Sequence, residues 1–587
     1  MADKKKSLKR TNITQLILGL VILLLVNVIS YYAFTRVDLT AEKRYSLSPA
    51  TKKLLRNLND VVFFKVYLEG DLPPGFRRLS NETREMLDVF RAYSKNIEYE
   101  FVDPSTNTSA KDRNDAYRLL VERGLQPTEL RVNKKGESTQ QIIFPGIIVS
   151  YRGHEAPVQL LMTQLGQPPE KVLNNSIQSL EYNLASAIQK LTQVIKPQIA
   201  FIEGQGELNN MQTADITVSL SQFYNVDRVT LDHKINSLTV RLKSDSLHDK
   251  LVNKYRAIII AKPLQKFDEK DKFLIDQFIM RGGKVLWLLD PVFASMDSLQ
   301  KYSNTMGISN DVNLDDMLFN YGVRLNNNLV MDLSALPIPV KTGQIGNQPR
   351  FEFFPWYFFP LITPSISHPI VNGINALKTE FVSSVDTADV PGVKKTFLLS
   401  SSPYSRTVSV PVLIDLDILR HPPDEKEFNM GPQPIAILLE GSFKSAFQYR
   451  IPPEIANNKE LGYYPESHKP TKMIIVADGD VIKNQFHYSQ GYYLPLGYDQ
   501  YTRETYGNKD FIMNAVNYLC DDSGLISVRS RELSLRLLDM VKVNKERIFW
   551  QFLNIIIPLI LILGFGLVKS RLRKNKYTRI TQKGTKA

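Results

Sequence analysis

The chain has 587 residues, 43% hydrophobic and 23% charged, which excludes disorder for its bulk and allows at least two domains of ~150–250 residues each. Its formal net charge of +13 sits at the ends: residues 1–10 contribute +4 and residues 569–587 contribute +8, leaving +1 for everything between. A nearly neutral body excludes a basic nucleic-acid-binding face, and a single cysteine, Cys520, excludes an intramolecular disulfide and a zinc site of the usual multi-cysteine kind.

A basic tail (residues 1–12) leads into the run from Ile13 to Phe34, ITQLILGLVILLLVNVISYYAF, which carries no charge. About 20 helical residues cross a hydrocarbon core, so this run predicts a transmembrane helix over 13–34. It is too long for a secretory h-region and no A-x-A-like cleavage site follows, which predicts an uncleaved signal anchor.

Residues 35–195 form the first expected domain. Ser48 caps a helix that has Pro49 at its first position. Strand 61–68, helix 80–94, strand 97–102, helix 111–123, a short strand near Leu130, strand 141–151 and one long helix over 170–192 follow. The order β-α-β-α-β-β-α is that of a thioredoxin-like layer, but no C-x-x-C is present, so redox chemistry is not expected of it.

Lys196-Pro197 opens a second domain, 196–526. Strands at 198–203 (QIAFIE), 228–231, 257–261 (AIIIA) and 284–289 (KVLWLL) alternate with helices near 214–223 and 268–281, which implies parallel βαβ units in a doubly wound sheet. An insertion at about 330–470, rich in strands, loops and prolines, contains the aromatic run FEFFPWYFF; the doubly wound pattern resumes at KMIIVA (472–477) and ends with helix 510–520. A connecting arm (527–547) leads to a second uncharged run, 548–568, and a basic tail, 569–587. Phe549 and Trp550, like Tyr31 and Tyr32, suit an aromatic interface belt. Both basic tails lie on the outer-sequence side of their spans, so the positive-inside rule puts both termini in the cytoplasm and residues ~35–547 on the extracytoplasmic side.

Four segments carry a resemblance over essentially the whole chain: FIEGQGE (201–207), KVLWLLDPV (284–292), VADGDVI (476–482) and GNKDFIMNAVNYLCDDSGLISVRSRELSLRLLD (507–539). With the two-span layout they resemble the gliding-motility-associated ABC transporter substrate-binding protein family (GldG) of Bacteroidota. The resemblance implies an auxiliary periplasmic subunit in the cell inner membrane, working with a separate ABC permease and a separate ABC ATPase. Related proteins tend to carry His between the glycines where this chain has Gln205, which weakens a role for an imidazole in that loop. The doubly wound half also looks like a glutamine-amidotransferase-like fold without its nucleophilic cysteine.

The candidate binding crevice comprises Glu203, Gly204, Gln205, Gly206, Glu207, Asp478 and Asp480, at the C-terminal ends of expected strands. The Gly204-x-Gly206 pair opens a helix where backbone N–H groups could receive an anion, but it lacks the third glycine of a dinucleotide fingerprint, and Glu203 and Glu207 would repel a phosphate. A tight structural turn and a ligand crevice both remain readings of it, as turn chemistry and hydroxyl or metal recognition do for Asp478 and Asp480. Phe351, Trp356 and Tyr357 are a candidate partner surface or the filling of a satellite core. Asn27, Asn554, Gly564 and Gly566 are candidates for membrane-helix packing, since polar groups and close approach drive helix association in lipid.

No G-x-x-x-x-G-K-[ST], H-E-x-x-H or G-x-S-x-G string occurs, and the seven histidines form no pair at ligand spacing on one helix. Catalytic residues, cofactors and a metal site are therefore not expected, and ATP hydrolysis belongs to another chain. The leading expectation is a non-enzymatic ABC accessory subunit, with membrane lipid and transporter subunits as partners. A structural link to the envelope and a hydrolase or transferase using Glu203–Glu207 and Asp478 are the alternatives.

Overall fold

The computed structural model describes residues 2–32, 46–106, 109–134, 137–162, 168–193, 195–242, 250–346, 348–458, 462–487, 490–530 and 540–582. It divides into two compact units, Met1–Glu532 and Leu533–Ala587.

In the first unit, helix α1 (Ala2–Tyr32) carries the apolar stretch Ile13–Val28, with Leu16 and Leu24 each 67% exposed. The last two residues of the expected first span, Ala33 and Phe34, lie outside the described residues.

The first α/β layer begins with α2 (Pro49–Arg56), where the Ser48 hydroxyl accepts the Thr51 N–H at 3.0 Å, as the Ser-Pro signature predicts. Then come β1 (Val62–Val66), α3 (Pro74–Tyr93), β2 (Ile97–Phe101), α4 (Ala110–Glu122), β3 (Thr128–Lys134), β4 (Glu137–Ile143), β5 (Gly146–Tyr151), β6 (His154–Gln159), α5 (Pro169–Gln178) and α6 (Leu180–Thr192). The sheet order is β2-β1-β5-β6, with β1 parallel to β2 and antiparallel to β5. Val62, Phe64 and Val66 alternate along β1 into a core shared with Leu79, Leu87 and Phe90 of α3 and Leu184 and Ile188 of α6. The single strand expected over 141–151 is two strands, because Pro145 has no N–H for a ladder, and β3 and β4 form a separate hairpin. The single helix expected over 170–192 is two helices that meet at Ser179.

The second layer contains β7 (Gln198–Glu203), α7 (Ala214–Ser221), β8 (Asn225–Thr230), β9 (Ala257–Ala261), α8 (Glu269–Met280) and β10 (Lys284–Leu288). Segment 330–470 supplies the long hairpin β11 (Ala335–Ile345) and β12 (Gln348–Ile362), then β13 (Val393–Ser400) and β14 (Pro434–Gly441). After it come β15 (Thr471–Val476) and α9 (Asn508–Cys520). The seven-stranded sheet runs β13-β14-β15-β10-β9-β7-β8, its last five strands parallel and β13 and β14 antiparallel. The expected insertion therefore builds one edge of the central sheet.

The continuous apolar run AIIIA is buried on both faces, as a central parallel strand requires. Ala257, Ile259 and Ala261 face a core with Ile216 of α7 and Phe511 and Val516 of α9. Ile258 and Ile260 face the opposite core with Ile275, Phe278 and Ile279 of α8, so helices cover both sides. Each fully buried isoleucine contributes about 1.5–3 kcal/mol. After α9, Leu525, Ile526 and Val528 return to the core of the first layer. Arg529 ties this turn to Asn514 at 3.2 Å and to the Asn372 carbonyl at 2.9 Å.

The second unit is the helix α10 (Met540–Gln582), which contains Pro558. Its stretch Glu546–Lys574 is long and apolar enough to cross a membrane, with a mean hydropathy of 2.3 and none of its most apolar window buried. It is the one such helix among the described residues.

Candidate functional site

The parallel strands fall in the spatial order second-first-third-fourth-fifth by sequence, with the reversal between β7 and β9. In such sheets the crevice outside the strand C-termini at the reversal is where ligands bind. The loop Gly204-Gln205-Gly206 leaves β7 at that point. Gly204 (φ +126°) and Gly206 (φ +76°) adopt backbone that side-chain-bearing residues rarely take, and a Cβ on Gly206 would meet the Leu264 Cβ at 3.3 Å. The Gln205 carbonyl accepts N–H groups from Leu264 and Gln265, each at 2.8 Å, which closes the turn against the loop after β9.

Glu203 is ion-paired with Arg228 of β8. The same guanidinium donates to the Thr213 hydroxyl at 3.0 Å and to the Leu208 carbonyl at 2.6 Å, so Arg228 clamps the segment between β7 and α7. Glu207 accepts the Gln205 N–H at 2.7 Å; burial pushes its carboxyl up, and its Oε1 is buried without a partner.

Beside this loop the fold assembles a constellation that sequence reasoning missed. His233, just past β8, has Nδ1 3.1 Å from Asp271 Oδ1 and 3.2 Å from Asp268 Oδ2. Asp268 is the N-cap of α8, accepting the Asp271 N–H at 2.8 Å through Oδ1. Asp271 is buried, and burial followed by the charge of Asp268 raises its pKa. Gln205 Nε2 donates to Asp271 Oδ2 at 3.1 Å. The available signal was a histidine just after one strand and D-x-x-D opening the helix after another. These are 35 residues or more apart, so only the sheet order joins them.

Asp478 and Asp480 follow β15, which is separated from β7 by β9 and β10; three strand spacings of about 4.8 Å put them roughly 14 Å from the Gly204–Gly206 turn. The structure thus distributes the expected crevice residues over two places. Around Asp478 and Asp480 the loops after β9, β10 and β15 form a buried ionic network. The Lys262 ammonium pairs with Asp290 at 2.9 Å and with Asp480, and Lys483 reaches Asp480 at 3.1 Å. Asp478 accepts N–H groups from Glu380 at 3.0 Å and Asp480 at 2.7 Å. Burial, with Asp290 and Asp480 alongside, drives the Asp478 carboxyl well above the usual range. Burial opposes ionisation of Asp480 too, but Lys262 and Lys483 outweigh it and hold it down at about 2. Asp290, Asp478 and Asp480 could by spacing surround a cation, but the Lys262 ammonium already meets two of them.

Of the three aromatics, Trp356 is fully buried and cannot form a partner surface; it packs with Phe358, Met331 and Ile414. Tyr357 is half-buried against Phe428, and Phe351 is exposed. Alternation along β12 explains the split, since successive side chains point to opposite faces. In α1, Asn27 donates its amide to the Leu23 carbonyl of its own helix at 3.0 Å. In α10, Asn554 is exposed and a Cβ on Gly564 or Gly566 would meet nothing within 4 Å. Cys520, at the end of α9, is buried, and burial pushes its thiol up to about 12.

These features define a mixed α/β chain with a largely parallel sheet whose strand order reverses between β7 and β9, and an apolar C-terminal helix suited to membrane association. A family profile described as an ABC-type uncharacterized transport system matches residues 196–515, more than half of the chain, and the chain belongs to that family of auxiliary ABC transport components. A domain of unknown function matches residues 41–150. An uncharacterized protein of Borreliella burgdorferi is 21% identical over 579 residues, covering 96% of this chain and 99% of the relative. Among solved structures, the mmIFT52 N-terminal domain matches at 13% identity and a TM-score of 0.30, covering 55% of this chain and 98% of that one. At that distance the likeness defines neither fold nor function.

Proposed function

We propose that this protein is a non-enzymatic auxiliary subunit of an ABC-type transporter linked to gliding motility, working with a separate permease and a separate ATPase. It is held in the cell inner membrane by two spans, with both termini cytoplasmic and the main body periplasmic. The first layer is thioredoxin-like and the second glutamine-amidotransferase-like. The observation that carries the reading is the family match across 196–515 in a chain with no nucleotide-binding string of its own.

Two features of the site support a binding or scaffolding role over turnover. Glu203, the carboxylate best placed at the crevice to act as a base, is engaged by Arg228. Asp478 is fully buried, with both oxygens accepting backbone N–H groups. Affinity purification of the full chain from native membrane, in mild detergent, should recover a multi-span permease and an ATPase bearing the phosphate-binding loop absent here. Recovery of neither, at wild-type membrane level, would reject the proposal.

A further inference from the structure

We propose that His233, Asp268 and Asp271 bind one divalent cation of the zinc class in the crevice at the β7/β9 reversal, with Gln205 completing the site. This inference stands apart from the transport role.

Geometry supports it first. Imidazole nitrogen and carboxylate oxygen are zinc ligands, and a tetrahedron with bonds of about 2.0–2.1 Å separates its ligand atoms by roughly 3.3 Å. His233 Nδ1 lies 3.1 Å from Asp271 Oδ1 and 3.2 Å from Asp268 Oδ2. The carboxylates are also held in place by their other oxygens: Asp268 Oδ1 caps α8, and Asp271 Oδ2 accepts from Gln205. Fixing a ligand through its second oxygen is how metal sites are oriented.

Charge supports it next. Among the described residues, neither Asp268 nor Asp271 has a lysine or arginine within ion-pair distance. The other carboxylate cluster, at Asp290 and Asp480, has Lys262 between its members. Two adjacent carboxylates, one of them 2% exposed, call for a cation, and among the described residues a half-exposed histidine is the only candidate within reach.

Gln205 provides the independent observation. It is 7% exposed, yet its Oε1 has no hydrogen-bond partner. Which amide atom is oxygen follows from the partners available. Here the partner is a carboxylate, so Nε2 faces Asp271 Oδ2 at 3.1 Å and Oε1 is left buried and unpaired. A water on the bound ion would fill the fourth position of the tetrahedron and donate to that orphaned oxygen.

The test uses the full chain in detergent, with its purification tag removed, stripped by a chelator and titrated calorimetrically with Zn²⁺. One equivalent should bind. His233→Ala should weaken binding beyond the roughly 10–100-fold typical of losing a supporting residue, with melting in chelator reporting separately any cost of leaving the two carboxylates without their histidine. Gln205→Leu should fall within that 10–100-fold range. Co²⁺ should give the ligand-field bands of a tetrahedral site in the wild type and not in His233→Ala. No binding by the wild type, or equal Zn²⁺ affinity and Co²⁺ spectra in wild type and His233→Ala, would overturn the assignment.

Discussion

Asp480 shows burial and ion pairing in direct competition. Its folded carboxyl ionises near about 2 against an ordinary value of 3.8, because Lys262 and Lys483 outweigh the desolvation. A carboxyl with a depressed folded pKa adds stability that is fully present above the unfolded value and is lost as pH falls through the folded one; here that is on the order of 2 kcal/mol. Asp480→Asn takes from Lys262 one of its buried counter-charges and should cost about 3 kcal/mol at pH 7. The difference in melting between the two proteins should then shrink as pH drops from 4 toward 2; a difference constant over that window would show that the pair is not the source. The sequence marked Asp478 and Asp480 correctly as residues at a strand end, but not what meets them. Lys262 is more than 200 residues away in the chain, and Arg228, which occupies Glu203, is equally invisible to local pattern. Trp356 illustrates the opposite limit: an aromatic run reads the same whether it lines a surface or a core, and period-2 alternation along a strand decides it.

Helix and strand identities were legible wherever the period or the caps were strong, as in AIIIA, the Ser48-Pro49 start and the alternation of β1. Errors fell where one residue breaks an element. Pro145 splits the strand expected over 141–151, and a turn residue, Ser179, splits the helix expected over 170–192. Strand β6 escaped because Pro157 argues against a strand, yet an edge position tolerates it, and β6 is at the edge of its sheet. The apolar helices raise a different question at this scale. Leu559, Leu561, Leu563 and Leu567 are 53–69% exposed, so the helix is apolar without a protein core against it. In lipid such a helix associates through close backbone approach and polar contacts, and Gly564 and Gly566 leave open space for a neighbour. Gly564→Leu with Gly566→Leu should therefore leave the protein inserted but reduce its recovery with the proposed permease several-fold in pull-downs. Unchanged recovery would assign the contact to the body between the two apolar runs, which the proposal places in the periplasm. Asn27 is a weaker element of that argument, since its amide is already satisfied within its own helix.

At the scale of the whole chain, alternation of strands and helices announced a doubly wound layer, but the strand order that reverses between β7 and β9 is a property of long-range pairing. That order brings His233 to Asp268 and Asp271, and it recruits β13 and β14 from a segment that reads as an insertion. Charge distribution, by contrast, is fully legible, and the proposed topology rests on it. Of the net +13, +12 resides in two terminal tails outside the apolar runs, while the flanks on the inner side, Arg36 to Arg44 and Lys542 to Arg547, mix signs. Short basic flanks set orientation, and long domains cross regardless of their own charge, so both tails should stay in the cytoplasm. A reporter fused after Lys576 should be active in its cytoplasmic form only. The turn at Arg152-Gly153 between β5 and β6 is exposed, so trypsin should cut there in intact spheroplasts. The same site in inside-out vesicles should be protected until detergent is added. Cleavage from the cytoplasmic face would invert both basic flanks at once and remove the body from the periplasm, and with it the proposed position beside an extracytoplasmic transport path.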